Sequence, residues 1–84
     1  MVFADDIRKV ILKLAEERGT EKTFDPSDVA RAIDQQNWSL LIDQVELVAN
    51  TLIREGKIIA LQSGRVIDIK NYKGPVQFRK NVHA

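Results

Sequence analysis

The hydrophobic pattern of this 84-residue chain changes period at Gly56, and that switch limits it to folds in which helices precede a small sheet. Upstream, Phe3, Ile7, Val10, Ile11 and Leu14 recur at helical spacing and predict a first helix over about 4–18. Gly19 follows as its stop, because glycine takes the left-handed conformation at little steric cost. Thr20 to Phe24 leaves room for a loop and one short strand. Asp25-Pro26 then opens a second helix over about 26–34, with Asp25 placed to cap its free amides and Pro26 suited to its first position. Val29, Ala30 and Ile33 make its buried stripe. Gln35-Gln36-Asn37 is a turn. A third helix follows over about 38–55, with Leu41, Val45, Val48, Ala49, Leu52 and Ile53 facing the core.

Downstream of Gly56, the segment KIIALQSGRVIDI alternates about Ser63-Gly64, which predicts a hairpin over 57–69. That turn sets Gln62 opposite Arg65 and Ile58 opposite Ile69. One face then carries Ile58, Ala60, Ile67 and Ile69, and the other carries Ile59, Leu61 and Val66. Gly74-Pro75 ends any strand, so residues 70–84 are expected to be an irregular tail in which Val76 and Phe78 can add one short edge. The expected fold class is α+β: a winged helix-turn-helix of three helices followed by a two-stranded β-hairpin wing, in one domain covering 1–84. The apolar face of Ile59, Leu61 and Val66 needs cover from the GPVQF tail or from another chain.

With 44% hydrophobic and 30% charged residues, the chain has the composition of an ordinary globular domain with one modest core. The absence of cysteine excludes a disulfide framework and any thiolate metal site. The start MVFADDIRKVILK is acidic before it is apolar, and Arg8, Lys9 and Lys13 interrupt its apolar positions. It reads as neither signal peptide nor membrane span, so a cytoplasmic location with no membrane contact is expected. Charge is uneven along the chain. Residues 1–55 hold 7 Lys+Arg against 11 Asp+Glu, a net of −4, whereas residues 56–84 hold 6 against 1, a net of +5, within the chain's total of +1.

Isolated chemical signals have plain structural explanations. Trp38 reads as a plug or staple at the start of the third helix. Asp25 and Asp28 read as capping and dipole residues, and His83 as a solvated tail residue without partners for catalysis or metal binding. Ser63-Gly64 lacks the following helix that a phosphate cradle needs. No nucleophile–base pair or ligand set can be assembled, so a non-enzymatic protein without cofactor or metal is expected.

PSDVARA, Trp38, the V-x-x-V-A-x-x-L-I-x-x-G helix end, Gly56-x-Ile58, Gln62-x-Gly64, Asp68 and Gly74-Pro75-Val76 occur in one order. Together they resemble a small bacterial winged-helix family known only as a domain of unknown function, over roughly residues 5–79. The resemblance implies the winged-helix fold and carries over no catalytic residue. Positions equivalent to Ser39 and Glu46 are commonly arginine in that family, and those equivalent to Leu40 and Leu47 are commonly small. This chain departs on the helix that would enter a groove.

Two functional expectations follow. In the first, Lys57, Arg65, Lys70, Lys73, Arg79 and Lys80, with Tyr72 and Phe78 interleaved, contact a DNA or RNA backbone. Gln44, Asn50 and Arg54 on the third helix are residue types that read base edges, although Asp43 and Glu46 would repel phosphates. In the second, Leu40 and Leu47, or Ile59, Leu61 and Val66, meet a protein partner or a second copy.

Overall fold

The computed structural model describes residues 2–68 and 74–84. Three α-helices, α1 (Ala4–Arg18), α2 (Pro26–Ile33) and α3 (Ile42–Arg54), precede the strands β1 (Ile58–Gln62), β2 (Arg65–Val66) and β3 (Gln77–Lys80). The helices pack on one another and on the sheet around Ile7, Ile11, Phe24, Val29, Val45, Leu52, Ile58, Ala60 and Phe78. Burial of this apolar set is the main force holding so small a domain together.

Local chemistry accounts for most element ends. Asp28 caps α2, its Oδ2 accepting from the backbone N–H of Asp25 at 2.8 Å. After α2, Asp34 Oδ1 accepts from the N–H groups of Gln36 and Asn37 at 3.1 and 3.2 Å, which bends the chain into the helix-turn-helix turn. The third helix does not begin as an α-helix at Trp38. Trp38–Leu41 winds as a 3-10 turn, with Leu40 N–H donating to Asn37 O at 3.1 Å. Residues three apart align in that tighter winding, and Trp38 and Leu41 both pack against the core. Gly56, at φ +77°, ends α3 as Gly56 and Lys57 N–H groups donate to Ile53 and Leu52 carbonyls, each at 3.0 Å.

Two expectations about core placement need correction. Phe3 is exposed, because it lies in extended backbone just before α1 and does not follow the helical phase; Val2 packs against the core nearby. The tail adds the one short edge expected of it. Residues 77–80 form β3, pairing antiparallel with β1 so that Ile58 faces Lys80, Ile59 faces Arg79 and Ala60 faces Phe78. The tail therefore joins the sheet edge-on instead of folding over a hairpin face. The strand order is β2-β1-β3, and Phe24 extends it by a bridge whose two N–H···O bonds to Phe78 are 2.8 Å.

The hairpin turns at Ser63-Gly64 as expected. Positive φ values of 53° and 80° give the twist that matches paired strands, and Gln62 faces Arg65. Its strand β2 ends at Val66, shorter than the predicted 57–69 hairpin, and the Ile58–Ile69 pairing lies outside the described residues.

Candidate nucleic-acid interface

The residues expected from the sequence to meet a partner lie on α3, on the turn before it and on the strands. Val45, Ala49 and Leu52 face inward, so the opposite side of α3 presents Asp43, Gln44, Leu47, Thr51 and Arg54 to solvent. Leu40 on the preceding turn is 76% exposed and Leu47 is 68% exposed. Asn50 and Glu46 are half-buried. Of the three helix residues able to read bases, Gln44 and Arg54 are therefore open, while Asn50 is partly covered.

Of the six basic residues that are close in sequence, the four described are not gathered into one patch. Arg65 stands exposed beside the wing turn, cross-strand from Gln62. Lys57 is exposed just before the opposite end of β1, three residues after Arg54, which ends α3. With about 3.3 Å per strand residue, Lys57 and Arg65 lie about 17 Å apart along the sheet. Lys80 faces Ile58 and is drawn toward α1, where its Nζ lies 2.7 Å from Glu16 Oε1; its charge is already engaged. Arg79, opposite Ile59, is half-buried with Nε enclosed and without a hydrogen-bond partner. Lys70 and Lys73 lie outside the described residues.

The apolar hairpin face is likewise smaller than expected. Leu61 is only 2% exposed, because it sits on the central strand between Val66 and Gln77, with Asp25 and Pro75 bordering the adjoining cleft of about 450 Å³. Ile59 is half-buried, and of that trio only Val66 is open, at 64%.

Three contacts escape sequence reading because their partners are distant or unsignalled. Arg8 grips Glu55 through two hydrogen bonds of 3.1 and 2.6 Å, tying the first helix to the end of the third. That bond holds the Glu55 carboxyl below the usual range and raises the Arg8 guanidinium, burial opposing both shifts. Lys80 and Glu16 are the second case. In the third, the Arg31 guanidinium lies 4.3 Å from the Trp38 ring centroid, so Trp38 serves as a staple between α2 and the turn before α3.

Three helices joined through a tight turn and followed by a small antiparallel sheet form an α+β arrangement consistent with a winged helix. The chain belongs to the family described as "Protein of unknown function (DUF3253)", whose match covers residues 4–81. A search of curated proteins returns no match. Among the described residues, no group of His, Cys, Asp and Glu could hold a metal ion, and no helix is long and apolar enough to cross a membrane.

Proposed function

We propose that this protein is a binding module, not an enzyme, and that it contacts nucleic-acid phosphates through its wing while α3 stays outside the groove. The observation that carries this reading is the exposed Arg65 beside the wing turn of a segment that is net +5. Arg54 and Lys57 supply a second point of contact at the base of the sheet. A separation of about 17 Å corresponds to about five base-pair steps measured along the axis of a duplex. Leu40, Asp43 and Leu47 argue against insertion of α3: the leucines gain nothing from base edges and the carboxylate repels phosphate. Contact of this kind positions a backbone and carries little sequence information. The cysteine-free composition fits a reducing compartment, and a cytoplasmic location belongs to the same proposal.

Fluorescence-anisotropy titration with mixed-sequence duplex DNA and single-stranded RNA at low salt tests it. Arg65→Glu is expected to weaken binding to every sequence, and Asn50→Ala to change little. Absence of binding at low salt, or a larger effect at Asn50 than at Arg65, would overturn the proposal.

A further inference from the structure

Apart from Arg54 at its end, the outward face of α3 is unused by a wing-led contact, and its residue order is self-complementary. Leu40, Asp43, Gln44, Leu47, Thr51 and Arg54 are all exposed, opposite the buried Val45, Ala49 and Leu52. Leu47 lies in the middle, with acidic Asp43 toward the helix start and basic Arg54 at its end. The neighbouring Glu55 is already held by Arg8. Asp43 and Arg54 leave the face electrically balanced but polarised along the axis. A uniformly basic or acidic partner would satisfy one end and clash with the other.

We infer that this face binds a second copy of the same chain, with the two α3 helices antiparallel about a two-fold axis at Leu47. An isologous contact requires a patch that complements itself, and this one does. The two copies' Leu47 side chains then stack at the axis. Arg54 lies about 10 Å along the axis from Leu47 and so reaches the start of the other copy's α3, beside its Asp43 and the Leu40 of the preceding turn. Its aliphatic stem covers the leucine while its guanidinium reaches the carboxylate, twice by symmetry. A contact confined to about four helical turns buries less than about 1,200 Å² in total, which places the dimer in the weak, reversible class. The wing takes no part in it.

Sedimentation equilibrium on the full chain is expected to show a monomer–dimer equilibrium with a dissociation constant on the order of 100 μM. Leu47→Glu should leave a monomer of unchanged circular dichroism, because the side chain it replaces is exposed. Asp43→Arg and Arg54→Asp should each weaken dimerisation by about tenfold or more through like-charge contact across the axis. The double variant should recover to within about threefold of wild type, because the swapped charges pair again. A wild type that stays monomeric up to about 1 mM would overturn the inference, as would a double variant without recovery. So would a dimer that survives Leu47→Glu but is lost in Val66→Glu, which would put the contact on the wing. None of these outcomes depends on whether nucleic acid binds.

Discussion

Leu47 and Leu52 stand five positions apart on α3 in opposite surroundings. Leu52 is fully buried against the core and Leu47 is mostly in water. Leu52→Ala should cost about 2–5 kcal/mol, the lost burial plus the cavity left in a small core. Leu47→Ala should cost less than about 1 kcal/mol, as exposed substitutions do. Urea melts of the two variants check this, and equal losses would show the helical phase of α3 to be wrong. Arg8 and Glu55 set a pH dependence. The Glu55 pKa is lowered on folding by its hydrogen bond to Arg8, so its contribution is fully present above the ordinary value near 4.5. It fades as pH falls through the lowered folded value. Glu55→Gln should therefore narrow the stability difference between about pH 6 and about pH 3 in denaturant melts, by a small amount because the pair is surface-exposed. An undiminished difference would mean the pair is broken in solution.

At the scale of elements, β3 carries more of the fold than its position in the tail suggests. Val76 and Phe78 are buried, and Phe78 links β1 to Phe24 through backbone bonds and a ring contact at 5.9 Å between centroids. Removing residues 74–84 should therefore unfold the domain outright, whereas removing 82–84 should leave cooperative unfolding intact. Circular dichroism and thermal melts distinguish the two truncations, and a folded 1–73 fragment would refute the role assigned to β3. The joint between α3 and β1 depends on Gly56, held at φ +77°. Nothing lies within 4 Å of a Cβ added there, so the cost of Gly56→Ala is backbone strain alone, about 1–2 kcal/mol in a denaturant melt. A neutral result would mean that the joint relaxes into another conformation.

For the whole molecule, the redistribution of charge changes the binding expected of it. Lys80 is committed to Glu16 and Arg79 is partly enclosed, which leaves Arg54, Lys57 and Arg65 as the open cations of the proposed contact among the described residues. Log affinity should then fall against log salt with a slope of about −2 to −3 for duplex DNA. Anisotropy titrations at several salt concentrations measure it. A slope steeper than about −5 would require the wing to engage more phosphates than these three residues can reach.

The order of elements, the helical stripes, the Ser63-Gly64 turn and the stop at Gly56 were legible in the sequence, because each depends on neighbours within a few residues. The outward direction of Leu47 was legible for the same reason, since helical phase sets it, but whether another segment covers it was left to the tertiary structure. What only the tertiary structure decided is which distant segments meet. β3 pairs with β1 across the intervening chain, and with that pairing Leu61 is buried and Lys80 is turned toward Glu16. Among the described residues, Lys57 and Arg65 of one basic stretch lie at two ends of a strand, because strand direction carries residues apart at about 3.3 Å each. Sequence proximity constrains backbone conformation; the sharing of charge and cover between remote side chains is determined only by packing.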